Sequence, residues 1–118
     1  MDREQSLLRM YAHFNARDVA LLGDFLHADV DWPNALEGTR LHSLAEVLAY
    51  WRGQFDQYWP WVEPLEFTEL PDGRMRVLVA QSLRDLDGDL IGQGRVFHDY
   101  AFRDGMVARM DIVAAPDG

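Results

Sequence analysis

His98 and Gln81 are the only frankly polar side chains on the apolar face of three strands predicted between Arg74 and Val113. An imidazole has an ordinary pKa of about 6.5, so His98 can both accept and release a proton near neutral pH. Two interpretations stay open. His98 is a core residue hydrogen-bonded to Gln81 or to a tyrosine, or it is the acid or base of a cavity. The second is our working hypothesis, in which the amide of Gln81 binds a ligand oxygen.

Tyr11 and Asn34 are the other candidate catalytic residues. The phenol of Tyr11 is a hydrogen-bond donor on an apolar ring. The amide of Asn34 could polarise a substrate carbonyl, although asparagine is also typical of a turn after Pro33. The predicted catalytic group is therefore His98, Tyr11 and Asn34.

Aromatic residues supply the predicted walls of the cavity. Trp32, Trp51, Phe55 and Tyr100 would offer a flat, apolar surface to a ring-containing ligand. Aromatic residues at such spacing also form ordinary cores, so that alternative stays open. We expect Trp32 and Tyr100 to line the cavity ahead of the others.

The last predicted strand has two possible inner faces. Met106, Ala108, Met110 and Ile112 share one face, and Val107, Arg109, Asp111 and Val113 share the other. The methionine face is predicted to be inner, because this choice leaves Arg109 and Asp111 in water. Met110 is then a ligand-binding residue. The opposite assignment would bring an arginine and an aspartate to the cavity.

Composition excludes several classes of chemistry. The 118 residues include no cysteine and no lysine, which rules out thiol nucleophiles, Schiff bases and a pyridoxal phosphate anchor. No metal site is predicted, since His42 and Glu46 lie one helical turn apart without further ligands at suitable spacing. No cofactor is expected either, because Gly92-Gln93-Gly94 lies inside a predicted strand, where it suggests a bulge and not a dinucleotide loop.

Charge and hydropathy exclude some classes of binding partner. The net charge of −9 and the scattered arginines argue against nucleic-acid binding. No apolar run approaches the roughly 18 residues that indicate a membrane span. The first five residues lack the features of a secretory signal. We therefore expect a cytoplasmic protein without nucleic-acid or membrane partners.

Hydrophobic periodicity divides the chain into helices followed by long strands, which is the pattern of an α+β domain. The predicted helices cover residues 3–16, a segment from Asp18 to Leu26 and a segment from Ser43 to Phe55; the predicted strands are Asp29–Trp32, Val62–Glu69, Arg74–Asp85, Leu90–Arg103 and Met106–Val113. Residues 33–40 are predicted to be irregular, Trp59-Pro60-Trp61 to end the third helix, and residues 114–118 to be a loose end. No linker interrupts the pattern, so residues 1–118 are expected to form one domain.

Four segments, in this order and spacing, resemble the nuclear transport factor 2-like superfamily, and its SnoaL-like branch in particular. They are Tyr11–Asp18, Ala28–Trp32, Tyr50–Trp51 and His98–Gly105. The resemblance covers almost the whole chain. It implies a cone-shaped barrel in which three N-terminal helices pack on a strongly curved, mainly antiparallel sheet around one apolar cavity, often in a homodimer packed through the sheet.

The resemblance leaves the function open, because the superfamily includes ketosteroid isomerases, scytalone dehydratase, polyketide cyclases and limonene epoxide hydrolase as well as members that only bind a ligand. Aligned with the isomerases, the general-base aspartate falls at Asn34, the tyrosine donor at Met10 and the protonated aspartate at His98. All three catalytic identities are changed, although Tyr11 lies one residue from the tyrosine position.

The resulting expectation is a small-molecule enzyme that performs cofactor-free acid–base chemistry of the isomerase, cyclase or dehydratase type on a hydrophobic cyclic carbonyl compound. His98 would carry the proton, while Tyr11, Asn34 and Gln81 position the oxygen. The alternative is a ligand-binding or accessory protein of the same fold without catalysis. A dimerising module with a filled cavity is the third possibility. The expected partners are a hydrophobic small molecule and a second copy of the chain.

Overall fold

A mixed six-stranded sheet with three helices packed against it makes up the computed structural model, which describes residues 2–116. The helices are α1 (Arg3–Asn15), α2 (Val19–Leu22) and α3 (Leu44–Gln57), and the strands are β1 (Leu26–Asn34), β2 (Thr39–Leu41), β3 (Tyr58–Glu69), β4 (Met75–Asp85), β5 (Leu90–Arg103) and β6 (Met106–Ala114).

The strand order is β2-β1-β6-β5-β4-β3, and only the pair β1–β6 is parallel. Strands β2 and β3 are therefore the two edges, and the sheet is open like a cone and not closed into a complete barrel. The predicted fold class, α+β with three helices on a curved and mainly antiparallel sheet, is confirmed. Ala114 belongs to β6 and not to the predicted loose end, of which residues 117 and 118 lie outside the described part of the chain.

Each of the helices α1, α2 and α3 has an N-cap side chain that accepts a hydrogen bond from its first turn. Asp2 accepts a hydrogen bond from the backbone N–H of Gln5 (2.8 Å), and Asp18 accepts one from Leu21 (3.1 Å). Ser43 accepts one from Glu46 (3.1 Å) at the start of α3. These bonds satisfy N–H groups that have no partner within the first turn of a helix. Asp18 and Ser43, the residues at which the sequence predicted the second and third helical segments to start, are the N-cap residues of α2 and α3.

The buried faces of α1 and α3 follow the spacing of three and four residues that the sequence predicts. The buried side chains are Leu7, Met10 and Tyr11 in α1 and Val47, Trp51 and Phe55 in α3. They join inward-facing residues of the sheet in one core.

Asn15 ties the end of α1 to the edge strand β3. Its side-chain nitrogen donates to the carbonyl oxygen of Val62 (2.7 Å), and its side-chain oxygen accepts from the N–H of Val62 (2.9 Å). These two bonds satisfy backbone groups on the side of β3 that no further strand covers. The adjoining Arg17 donates to the carbonyl oxygens of Phe55 and Tyr58, where α3 ends.

Two predicted boundaries near the first strand are wrong. Strand β1 extends beyond Asp29–Trp32 on both sides, and the region predicted to be irregular contains β2. Arg40 explains why β2 forms, because its guanidinium donates to the carboxylate of Asp31 (2.7 Å) and to the carbonyl oxygen of Met110 (2.8 Å). One side chain thus holds β2 against β1 and β6.

Strand β3 begins earlier than predicted, at Tyr58, so that Trp59-Pro60-Trp61 belongs to the strand. Pro60 is tolerated because β3 is an edge strand. It lies two residues from Val62, whose backbone groups point away from β4, so the missing N–H of Pro60 removes no bond between strands.

The inner faces of β4 and β5 match the prediction over most of their length. Val77 and Val79 are fully buried, and the alternation in β5 turns His98 and Tyr100 inward. In β6 the prediction is only partly correct. Ala101 pairs with Arg109 and Phe102 pairs with Val107, so Ala108 forms a bulge. The bulge places Val107 inside instead of Met106 and Ala108, whereas Met110 remains inside and Arg109 and Asp111 remain outside, as predicted.

The outer face of the sheet carries a network of arginine–aspartate pairs that the sequence did not predict. Asp99 is only 1% exposed, and both of its oxygens accept hydrogen bonds from Arg76 (2.8 and 2.9 Å). In the neighbouring strand, Asp111 accepts two bonds from Arg109 (2.8 and 3.0 Å) and one from Arg40 (3.2 Å). Paired charges of this kind are the usual way in which a carboxylate is buried.

Candidate active site

Tyr11, His98 and Tyr100 meet inside the core in a short chain of hydrogen bonds. The hydroxyl of Tyr11 lies 2.9 Å from Nδ1 of His98 and 2.7 Å from the hydroxyl of Tyr100. All three side chains are buried. Helix α1 contributes Tyr11, and β5 contributes the other two, which share one face of the strand because they are two residues apart.

The second ring nitrogen of His98, Nε2, faces the interior space. It makes no hydrogen bond to any residue in the range 2–116. In the same range, no fully buried polar side-chain atom lacks a partner. Nε2 must therefore be accessible from a cavity, and His98 does line one. This nitrogen is the atom that a molecule in the cavity would meet.

The three hydrogen-bonded side chains Tyr11, His98 and Tyr100 are uncharged at neutral pH. Burial lowers the pKa of His98 to about 4, and the charge of Asp99 opposes only part of that shift. Burial also raises the pKa values of Tyr11 and Tyr100 above that of a free phenol. At pH 7 the imidazole is consequently neutral and both hydroxyls keep their protons.

A cavity of about 520 Å³ extends from this chain of hydrogen bonds. Its walls are mainly apolar and aromatic, and they are formed by α1, β1, α3 and the inner face of the sheet. Leu36, Trp61 and Ile112 also line it and are between 43% and 65% exposed, so they mark its mouth. An interior that is hollow leaves space for a small molecule.

Most of the residues predicted from the sequence line this cavity. They are His98, Tyr11, Trp32, Trp51, Tyr100, Met110 and Gln81. Trp32 packs edge-on against Trp51, with ring centroids 5.2 Å apart, and lies 6.3 Å from the ring of Tyr100. One continuous aromatic wall therefore leads to the hydroxyl groups.

Asn34 does not line the cavity, although its neighbours Pro33 and Ala35 do. Its side-chain oxygen accepts a hydrogen bond from the backbone N–H of Glu37 (3.2 Å). The side chain is thus used within the turn between β1 and β2, which is the alternative that the sequence left open.

Phe55 is not among the cavity-lining residues either. Its ring packs against Phe14, with centroids 5.1 Å apart, and the guanidinium of Arg17 covers it. Phe55 is buried, as expected of an aromatic residue on the inner stripe of α3, but it belongs to the packed core behind the cavity wall.

Gln81 and His98 are separated along the sheet. The hydrogen-bond partner of His98 is Tyr11 and not Gln81, and Gln81 is exposed at the mouth of the cavity. The two interpretations of His98 are therefore compatible, since the residue is bonded to a tyrosine and also lines a cavity.

The cavity-wall residues that sequence reasoning missed include Tyr50 and Gln54 of α3 and Gly92 and Gly94 of β5. Tyr50 and Gln54 lie three and seven residues after the buried Val47, so the helical spacing would have placed them beside the inner stripe. The glycines were noted as a bulge, but their inward alternation with His98 was the signal that locates them in the wall.

Two other kinds of site find no support among the described residues. No group of three or more histidine, aspartate or glutamate side chains is arranged to hold a metal ion in residues 2–116. Within the same part of the chain, no helix is long and apolar enough to cross a membrane.

The open cone of helices and sheet around an apolar cavity defines the nuclear transport factor 2-like class of proteins. The family model of the SnoaL-like domain matches residues 7–110. The chain therefore belongs to the SnoaL-like domain family, as its sequence segments predicted. No curated protein matches it in sequence.

Solved structures share the fold over nearly the whole chain. A nuclear transport factor 2-like protein of unknown function from Burkholderia pseudomallei is 23% identical with a TM-score of 0.79, and the match covers 95% of this chain and 89% of that one. A candidate polyketide cyclase from Pseudomonas putida is 19% identical with a TM-score of 0.82, over 98% and 93% of the two chains. TerC, co-crystallised with polyporic acid, is 25% identical with a TM-score of 0.73, over 94% and 89%.

Proposed function

We propose that the protein is a small-molecule enzyme that transfers protons on an apolar, ring-containing carbonyl compound without a cofactor. The observation that carries this proposal is the row of hydrogen bonds from Tyr100 through Tyr11 to His98. It ends at Nε2 of His98 in the wall of an apolar cavity. Among the side chains of residues 2–116 that line the cavity, only that of His98 belongs to a type with an ordinary pKa near neutrality.

A ring system suits the walls of the cavity. The rings of Trp32, Trp51 and Tyr50 offer apolar faces, and the volume of about 520 Å³ falls within the range of small-molecule sites. TerC and the candidate polyketide cyclase have the same fold, and the former was co-crystallised with a small organic acid. These relatives support a small organic ligand for this chain as well.

His98 can act at Nε2 either as an acceptor or as a donor. In one tautomer, Nδ1–H donates to the hydroxyl oxygen of Tyr11 and Nε2 is free to accept a proton. In the other, the hydroxyl of Tyr11 donates to Nδ1 and Nε2–H donates to a ligand oxygen. Because a hydroxyl group can both donate and accept a hydrogen bond, Tyr11 and Tyr100 keep their hydrogen bonds with either tautomer of His98.

The proposed step removes a proton from the carbon next to the carbonyl group and returns it to another atom of the same molecule. The neutral imidazole accepts this proton at Nε2. With a pKa of about 4, the imidazolium then gives the proton back readily. A general base of similar strength is sufficient in ketosteroid isomerase, where an aspartate with a pKa of about 4.6 takes this role.

A binding protein without catalysis is the second candidate. It is favoured by the absence of any aspartate or glutamate among those residues of the range 2–116 that line the cavity. Such a protein would use Nε2 to hold a ligand oxygen and would leave the C–H bonds of the ligand intact.

Deuterium exchange of 2-tetralone, an apolar bicyclic ketone, distinguishes the two candidates. We expect the protein in D₂O to accelerate exchange next to the carbonyl group above the buffer rate, with saturation in 2-tetralone and competition by polyporic acid, as followed by NMR. Because the chain has no lysine, side-chain amines cannot contribute through a Schiff base. Exchange at the buffer rate with saturable polyporic acid binding would support the binding protein, and the absence of both would contradict both candidates.

We also propose a homodimer that pairs through the outer face of the sheet. The half-buried Leu78, Phe97 and Val113 form one row across β4, β5 and β6 on this face. A second copy would bury this row further. Sedimentation equilibrium is expected to give twice the 13.6 kDa of one chain, and a monomer mass at micromolar concentration would contradict the pairing.

A further inference from the structure

We infer that the cavity takes an elongated ligand of two or more rings with a hydrogen-bonding oxygen at each end, one at His98 and the other at Gln81. The inference rests on the proposed function only for the contact at Nε2. The far end of the ligand and its length follow from the register of β4 and β5.

On β5, the floor of the cavity carries no side chain larger than valine between His98 and Gln81, and it carries no side chain at the two inward positions opposite Gln81 and beyond it. The inward positions of β5 are Gly92, Gly94, Val96, His98 and Tyr100, all of which line the cavity. Two successive inward positions are thus glycines. A Cβ atom added at Gly92 would meet nothing within 4 Å. Glycine weakens a strand because it has no side chain to pack. The open space above these two positions is therefore accompanied by a loss of strand stability.

The register gives the length of the open floor. Gly94 lies four residues before His98, which corresponds to about 13 Å along an extended strand. Gln81 pairs with Gly94 across β4 and β5 and shares the inner face with Val79 and Val77. A single ring bound at His98 would end short of Gln81, whereas two linked rings with their substituents span this distance.

The amide of Gln81 is available to a ligand. It makes no side-chain hydrogen bond to the described residues, and the imidazole of His98 is satisfied by Tyr11 instead. Gln54 of α3 lines the same cavity with a half-buried amide. Pro60 and Leu83, which pair beside Gln81, are apolar. An oxygen at the far end of the ligand would therefore meet the amide of Gln81 beside these two apolar side chains, at the exposed mouth of the cavity.

Two matched biphenyls test the inference by isothermal titration calorimetry. 4-Phenylphenol has one hydroxyl group, whereas 4,4′-dihydroxybiphenyl has a second one at the opposite end. We expect the dihydroxy compound to bind about tenfold more tightly to the wild-type protein, because its second hydroxyl gains a hydrogen bond at Gln81.

Substitutions identify the residue that causes this preference. In Gln81→Leu the ratio of the two affinities is expected to fall to about one. The matched control is Gln57→Leu, which alters an exposed glutamine of α3 outside the cavity and is expected to keep the tenfold ratio. In Gly94→Val the valine side chain would occupy the floor opposite Gln81, which a two-ring ligand needs and a shorter one does not. The binding of both biphenyls should therefore weaken at least tenfold more than the binding of 2-naphthol. Circular dichroism checks that the variant is folded.

A ratio near one in the wild-type protein, or a ratio that survives Gln81→Leu, would overturn the inference. So would a failure of both biphenyls to bind. The test is independent of catalysis. If 2-tetralone exchanges only at the buffer rate while the ratio behaves as expected, the distal contact stands and the proton transfer is rejected.

Discussion

Replacing His98 with glutamine is expected to slow the deuterium exchange of 2-tetralone by about 100-fold or more, which is the usual contribution of a general acid or base. Glutamine keeps a polar group of similar size in the cavity wall, but its amide cannot accept a proton near neutral pH. The initial rate of exchange, measured by NMR at saturating 2-tetralone, gives the effect on the proton-transfer step.

Binding separates the chemical role of His98 from a structural one. The affinity of the variant for polyporic acid is expected to change much less than the exchange rate, because the aromatic wall of Trp32 and Trp51 is retained. The matched control is His42→Gln, which removes an exposed histidine outside the cavity and should exchange 2-tetralone like the wild-type protein. If His98→Gln retains the wild-type exchange rate, His98 does not carry the proton.

Acidification is expected to destabilise the protein through the same histidine. The pKa of His98 is about 4 in the folded state and about 6.5 in the unfolded chain, so the unfolded chain binds the proton first as the pH falls. The stability contributed by the neutral buried ring is complete above pH 6.5 and is lost as the pH approaches 4. The loss is about 2 kcal/mol between pH 7 and 5 and about 3 kcal/mol by pH 4.

Urea unfolding at pH 7 and pH 5 measures this effect. The free energy of unfolding of the wild-type protein should fall by about 2 kcal/mol more than that of His98→Gln over this interval. His42→Gln, with an exposed imidazole removed, should behave like the wild-type protein. Equal pH dependence in the wild-type protein and His98→Gln would show that His98 titrates alike in the folded and unfolded states.

The inward direction of His98 could be predicted because it depends only on local alternation. Val96, His98 and Tyr100 share one face of an extended strand wherever that strand lies. The hydrogen-bond partner of His98 could not be predicted in the same way. Tyr11 is 87 residues away in the sequence, and its contact with Nδ1 depends on how α1 docks on the sheet.

The errors also have physical causes. The alternation of β6 holds only while its register is continuous, and the bulge at Ala108 exchanges Val107 for Met106 on the inner face. Asn34 has a residue type that serves both as a catalytic amide and as a turn former, and the backbone of Glu37 decides between them. Strand β2 depends on distant contacts of Arg40, which no window of three residues reveals.

The double hydrogen bond between Asn15 and Val62 has a consequence for the energetics of ligand binding. Asn15 lies one helical turn after Tyr11, so α1 is attached to the sheet at two points, one at the edge strand and one at the imidazole. Neither sliding nor rotation of the helix is possible without breaking one of them. The hydroxyl of Tyr11 is therefore already in position before a ligand enters the cavity. Ligand binding then carries no entropic cost for ordering this group.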